Sequence, residues 1–225
     1  MPTPPELVAE RIAAVQAEIP ASTTLIAVTK QVSVDLMAVA YRMGIRDFGE
    51  SRVQEAEQKQ AQLNLPGITW HLIGHLQRNK AGKALEHFQW IHSLDSLRLA
   101  ERLDQLAAKA QVMPRLCLQV KLRPDPNKYG WPVDELWQDL PQLDTYKHLR
   151  IHGLMAIPPY GLGEDETQAI FEEAHQLSDK IRQQPWSRIE MNQLSMGMSN
   201  DYSLAIASGA TMVRLGRTLF GSRPT

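Results

Sequence analysis

The chain has 225 residues, 24 Lys plus Arg against 25 Asp plus Glu, and 43% hydrophobic residues, the make-up of a globular protein able to bury one large core. So even a charge balance excludes the bulk field that drives non-specific binding to nucleic acid or to a membrane surface, and neither is an expected partner. The one cysteine, Cys117, lies in the apolar run "RLCLQV" with no intrachain partner, which reads as a buried core thiol in a reducing compartment.

In chain order, the start "MPTPPELVAERIAAV" lacks the basic-then-apolar pattern of a leader. No segment approaches the roughly 18 to 20 apolar residues of a membrane span, so a cytoplasmic location is expected. An amphipathic helix is predicted over residues 5–18. Strand-like runs and helical patterns then alternate. The runs are "TLIAVTK", "DFGES", "TWHLIG", "WIHSLD", "RLCLQVKL", "RIHGLMAI", "RIEMNQLS" and "MVRLGRTLF". Between them lie "VDLMAVAYRMG", "RVQEAEQKQAQL", "RNKAGKALEHF", "SLRLAERLDQLAAKA", "PVDELWQDLPQL", "EDETQAIFEEAHQLSDKIRQQ" and "NDYSLAIASG".

Eight strands and seven intervening helices predict an α/β fold, with the parallel sheet closed as a (β/α)8 TIM barrel forming a single domain over 1–225 behind the extra N-terminal helix. An open doubly wound sheet is the alternative. The Pro-rich "RPDPNKYGWP", residues 123–132, is the one longer loop and follows the fifth strand. The polar helices "RVQEAEQKQAQ" and "RLAERLDQLAAKAQ" read as solvated, which leans towards a monomer.

Active sites of such barrels lie at the carboxyl ends of the strands, so the residues that end strands carry the functional information. Lys30 ends the first run, "LIAVTK". "SMGMSND" places Ser195 and Ser199 around Gly197 after the seventh strand, with Ser199 or Asn200 as a candidate N-cap, and "LGRT" adds Gly216, the amide of Arg217 and the hydroxyl of Thr218 after the eighth. Loops seven and eight frequently make the phosphate site of a barrel, although the same residue types also serve as plain turns and caps.

A lysine facing a phosphate cup across the barrel mouth suits pyridoxal 5'-phosphate (PLP), which is fixed by its phosphate at one end and by an imine to lysine at the other. Partial burial and nearby cations would help that lysine lose its proton. Arg214, two residues before Gly216, is expected on the same side of the strand as that glycine and Thr218, where it could meet the pyridine nitrogen. Such an arginine stays protonated, leaves the ring nitrogen unprotonated and makes the ring a weak electron sink. A barrel for another phosphorylated metabolite, with Lys30 as a phosphate contact only, is a further reading.

With "AVTK", "FGES", "VQEAEQK", "WHLIGHLQRNK", "HSLD", "KYG", "GLMAI", "LSMGMSND" and "VRLGRTLFG" in place, the chain resembles the pyridoxal phosphate homeostasis proteins, the YggS/PROSC family, through nearly its whole length. That family is similar in fold to the alanine racemase N-terminal domain. The resemblance implies a PLP aldimine on Lys30, a phosphate held by Ser195, Ser199, Gly216 and Thr218, and Arg214 at the pyridine nitrogen. It also implies a pocket lined by Asn79 and Met196 to Met198, with His75 and Ser93 as further candidates. Two departures from the family pattern, Ser51 in "FGES" and Lys121 in "QVKL", fall near the expected pocket mouth.

The resemblance implies a non-catalytic carrier that buffers intracellular PLP (vitamin B6) and affects amino-acid and 2-oxo-acid balance, with PLP-dependent apoenzymes as possible recipients. The competing reading is an amino-acid racemase, which needs a second base. In alanine racemase that base comes from an added β domain, for which the residues after the last strand leave no room, and Tyr129 and Tyr160 are the available substitutes.

Several residues have structural readings. His71 and His75 span a strand-to-loop junction and lack a third ligand, so no metal is expected. Met191, Met196 and Met198 are partly core, Trp131 and Trp137 anchor the Pro-rich loop, and "GEDETQ" opens a helix with dipole-favoured acids.

Overall fold

The computed structural model describes residues 3–125 and 128–222; Pro126 and Asn127 of the Pro-rich loop, and residues 223–225 of the end, lie outside it. The chain opens with α1 (Pro5–Glu18), as its periodicity predicts, and Val8, Ile12 and Val15 on one face are buried. It continues through β1 (Thr24–Val28), α2 (Val34–Arg42), β2 (Asp47–Glu50), α3 (Val53–Leu63), β3 (Thr69–Leu72) and α4 (Ala81–His87). Then come β4 (Trp90–Leu94), α5 (Leu97–Ala110), β5 (Arg115–Lys121), the two-residue β6 (Trp131–Pro132), α6 (Val133–Leu143) and β7 (Arg150–Ala156). The last elements are α7 (Glu164–Arg182), β8 (Ile189–Ser195), α8 (Tyr202–Ala207), β9 (Met212–Leu215) and α9 (Arg217–Phe220).

The sheet runs β4-β3-β2-β1-β9-β8-β7-β5, and the β4–β5 pairing closes it, so eight parallel strands form a barrel with β6 attached to β5. Closure gives each strand an outward and an inward set of side chains. Outward residues such as Ala27, Phe48, Leu72, Leu116, Leu154 and Val213 pack under the helices in one continuous core. Inward, Ile26, Trp90, Cys117, Met155 and Met212 form a second, smaller cluster. The inside-facing parity also carries His92 two residues after Trp90 and Arg214 two after Met212, and Arg214 lies beside Ile26 in register. The barrel interior therefore holds buried polar groups, His71, His92, Ser195 and Arg214, among few apolar ones. Cys117 is fully buried there, and burial pushes its thiol pKa up to about 12, in line with the inert core reading.

Strand β7 meets β8 so closely at Gly153 that a Cβ there would lie 1.7 Å from the carbonyl oxygen of Gln193. Helix α1 packs on α2 and α9; Thr3 Oγ1 donates to the Phe220 carbonyl (2.7 Å), and the Tyr202 hydroxyl donates to Glu18 (2.6 Å). The first helix thus braces the two short helices that follow β8 and β9.

Four local expectations are corrected. The run "MVRLGRTLF" is strand only to Leu215; Gly216 (φ −119°, ψ −71°) turns the chain into α9, so strand alternation does not place Thr218. The N-cap of α8 is Asp201, neither Ser199 nor Asn200, and its Oδ1 accepts from the Met198 amide (2.6 Å). The pattern "RNKAGKALEHF" divides into a 3-10 turn, Arg78–Lys80, and α4, with Gly82 near the join. Helix α3 is not wholly solvated, because Val53, Ala56, Lys59 and Leu63 are buried. Trp131 is buried, and its indole donates to Asp139 Oδ2 (2.9 Å), which ties the Pro-rich loop to α6 as expected.

Candidate functional site

Lys30 lies in a turn two residues beyond β1 and is half-buried at the carboxyl-end rim of the barrel. A polar cluster fixes that turn on both sides of the lysine. The Thr29 hydroxyl donates to Glu50 Oε1 (2.7 Å), the Thr29 carbonyl accepts from Lys59 Nζ (2.6 Å), and the Gln31 amide donates to Glu55 Oε1 (2.5 Å). Lys59 also meets Glu50 Oε1 at 2.8 Å and Glu55 Oε1 at 2.6 Å. Glu50 is fully buried, and burial raises its carboxyl pKa against the lowering effect of Lys59. Gln31 adopts φ 60°, a left-handed geometry that the Glu55 contact holds in place. Sequence reasoning missed Glu50, Glu55 and Lys59 as supports of Lys30. The signal was the Glu55–Lys59 spacing of four on one helix face.

Across the barrel Arg214 is 4% exposed, and its guanidinium donates to Ser195 Oγ (2.6 Å) and to the Ala156 carbonyl (3.2 Å). Both acceptors are neutral, and among the described residues no carboxylate lies in salt-bridge contact with it. Burial lowers the Arg214 pKa to about 10, which still leaves the group cationic at neutral pH. The Asp201 carboxylate favours the charge without a direct ion pair, and a buried cation so placed still demands hydrogen-bond acceptors.

Loops after β8 and β9 meet as the sequence anticipates. Ser199 Oγ accepts from the Thr218 amide (3.3 Å), Arg217 reaches Asn200 Oδ1 (3.4 Å), and Arg214 donates its amide to the Gly197 carbonyl (3.0 Å). Gly197 needs its positive φ of 91°, and a Cβ there would strike Ala205 at 2.6 Å. Gly216 and Met196 are buried beneath the cup, while Ser199 and Thr218 are half-buried at its edge. Ser195 lies deeper than its neighbours, with its hydroxyl occupied by Arg214 and by His92 Nδ1 (2.7 Å).

The remaining candidates sit around the rim. Asn79 is exposed in the 3-10 turn, and Ser93 donates to the Gly74 carbonyl (2.6 Å). His75 bonds Asp95 (2.9 Å) and stacks on Tyr129, with ring centroids 3.6 Å apart, while His71 turns inward to His92 and Asp47. Lys128 reaches the carbonyls of Ile157 and Pro158, so the loop after β5 crosses to the end of β7. Ser51 and Lys121 are half-buried. The Ser51 carbonyl presses on Gly74, where a Cβ would lie 2.3 Å from it.

The alanine racemase N-terminal domain family matches residues 6–224. A pyridoxal phosphate homeostasis protein of Synechocystis sp. is 50% identical over 92% of this chain and 94% of that protein. The structure of PipY from Synechococcus elongatus without PLP aligns at TM-score 0.92 and 52% identity, over 95% of this chain and 100% of that one. The form of PipY with PLP bound aligns at 0.91 and 50%, with the same coverage. An alanine racemase of Clostridium difficile, at 13% identity and TM-score 0.78 over 98% of this chain and 60% of that one, shares the fold.

Proposed function

We propose, on the premise that this chain belongs to the pyridoxal phosphate homeostasis protein family, that it is a PLP carrier without evident catalysis. It serves cytoplasmic PLP and vitamin B6 homeostasis and amino-acid and 2-oxo-acid balance, as a monomer that supplies PLP-dependent apoenzymes. Among the described residues no helix is long and apolar enough to cross a membrane.

The observation that carries this reading is Arg214. It is a buried cation whose guanidinium has only neutral hydrogen-bond acceptors, inside the barrel near the ends of β7 and β8, while the half-buried Lys30 lies just beyond β1. A pyridine nitrogen is an acceptor without a proton of its own, and it fits the free donor capacity of such a guanidinium. Ser199, Gly216, Arg217 and Thr218 gather where the phosphate would lie, and Met196 backs the cup. Asn79 and the His75–Tyr129 stack line the rim. Ser195 acts through Arg214, since its hydroxyl is already shared between that residue and His92.

When bound, PLP supplies an aldehyde that an amine can hold as a Schiff base. Lys30 is the amine, and the Glu50–Lys59–Glu55 cluster fixes its turn on either side. Because Arg214 keeps its proton, the ring nitrogen stays unprotonated and carbanion chemistry is disfavoured, which favours carrier over racemase. The second base of a racemase is also lacking at the two tyrosines named for it, since Tyr129 is stacked on His75 and Tyr160 is 99% exposed.

The experiment is an absorption spectrum of wild type and Lys30→Ala with saturating PLP, before and after borohydride. The expected result is a Schiff-base band in wild type that borohydride abolishes and the variant lacks. A Lys30→Ala protein that keeps the band overturns the assignment. Rapid α-proton exchange on added amino acids would favour the racemase.

A further inference from the structure

Five side chains from five strands form one unbroken line through the barrel. Arg214 Nη1 lies 2.6 Å from Ser195 Oγ, which lies 2.7 Å from His92 Nδ1; His92 Nε2 is 2.9 Å from His71 Nδ1, and His71 Nε2 is 2.9 Å from Asp47 Oδ1. We propose that Asp47, His71, His92 and Ser195 are a directed hydrogen-bond wire that orients Arg214, and so are positioning residues for the ring end of the cofactor. This rests on the PLP reading above.

The chemistry of the two ends fixes the direction. A guanidinium only donates, so Ser195 Oγ accepts from Arg214. A carboxylate only accepts, so the proton on His71 sits on Nε2. With a neutral ring, His71 Nδ1 must then accept, which places the His92 proton on Nε2. His92 Nδ1 is left to accept the Ser195 hydroxyl proton. One assignment satisfies every member, and reversing any single link leaves two donors or two acceptors facing each other. Burial disfavours the charged form of both rings, lowering the pKa of His71 and taking that of His92 well below the ordinary value.

The surroundings deny the wire other partners. Trp90 stacks on His71 with centroids 6.0 Å apart and planes 6° from parallel, and it lies 5.8 Å from His92. Its other flanks meet His152 at 5.2 Å and the Arg115 guanidinium at 5.6 Å, so Trp90 is a plug near the amino ends of the strands. His71, His92 and Ser195 are at most 1% exposed, whereas the Asp47 side chain is 30% exposed. A cut anywhere along the line therefore leaves a buried donor or acceptor unmet and frees the Ser195 hydroxyl to rotate away from Arg214. A change at Asp47, at the opposite end of the barrel from the cup, should reach the cofactor through this line.

The test has two parts. Nitrogen-15 spectra of the unliganded protein should show His71 and His92 both as neutral Nε2–H tautomers; an Nδ1–H tautomer on either ring overturns the wire. For the PLP-loaded protein, His92→Phe, which keeps volume but carries neither group, should release PLP at least tenfold faster and move the absorption maximum. His92→Gln, which offers both a donor and an acceptor, should restore most of both. Should His92→Phe fail to fold, Asp47→Leu at the half-exposed end must produce a smaller shift of the same sign. Folded variants with unchanged band and release overturn the wire while the PLP reading stands. A wild-type chain with no Schiff-base band overturns the PLP reading, and the tautomers of the unliganded chain still decide the wire's direction.

Discussion

Replacing Lys59 with methionine should destabilise the protein by about 3 to 4 kcal/mol at pH 7.5, near the lower end of what removing one partner of a buried ion pair does. The structure sets that figure. The Lys59 ammonium makes contacts of 2.8 Å to Glu50, 2.6 Å to Glu55 and 2.6 Å to the Thr29 carbonyl, and Glu50 is fully buried with Oε2 already lacking a partner. Methionine fills most of the stem's volume, so the loss is chiefly the stranded charge and not a cavity. Thr29 alone would remain on Glu50 Oε1.

The pH dependence follows from the raised folded-state pKa of Glu50, which rises further in the variant. A carboxyl whose folded pKa exceeds its unfolded value binds more protons when native, so stability falls as pH climbs from about 4.5 through the folded pKa. The defect of Lys59→Met should thus be smallest near pH 5 and grow towards pH 7.5. Adding Glu50→Gln should recover part of it, because the stranded charge is gone. In urea unfolding the midpoint reports the loss, and in a thermal scan about 3 kcal/mol corresponds to roughly 6 to 12 °C. A loss below about 1 kcal/mol at pH 7.5, or one equal at both pH values, would refute the argument.

Wild-type stability should fall as pH drops below about 6.5, since His71 and His92 are buried neutral and their folded pKa values are lowered. The limiting slope of the two sites is about 2.7 kcal/mol per pH unit, readable from unfolding midpoints at pH 5 and 7. Cys117 should resist a thiol reagent in the native protein and react at once on unfolding, given full burial and a thiol raised to about 12; native-state labelling would contradict this. Gly153→Ala should lose well over about 3 kcal/mol or fail to fold, because its Cβ would meet backbone at 1.7 Å; a near-normal melting curve would contradict the strand approach. Ser199→Ala should weaken PLP binding about tenfold, as expected for one hydrogen bond to a charged group, and leave pyridoxal, which lacks the phosphate, unaffected; equal losses for both would remove Ser199 from the phosphate cup.

Much of the fold and part of the candidate site are legible in the sequence. The alternation of β-branched runs with 3.6-period segments gives the strand and helix order, and the first helix, residues 5–18, coincides with α1. Lys30, Ser199, Gly216 and Thr218 could be named because barrel loops at strand ends have known positions, and the loops after β8 and β9 do meet. The end of β9 could not be read. "MVRLGRTLF" has the composition of a strand throughout, and only the turn at Gly216 stops it at Leu215.

Local order is a short-range property, so the sequence by itself determined the eight-strand alternation, a lysine close to the end of the first strand and the glycine–serine turn after β8. The tertiary structure decided which polar groups are buried together. Lys59 lies in a helix of charged and amide side chains that reads as solvated, yet it is buried because Glu50 from β2 and the Thr29 carbonyl meet it there. The wire joins Asp47, His71, His92, Ser195 and Arg214 across separations of 24, 21, 103 and 19 residues. No local pattern encodes such pairings, because a buried polar group takes its partners from whatever segments the closed barrel brings within hydrogen-bond reach.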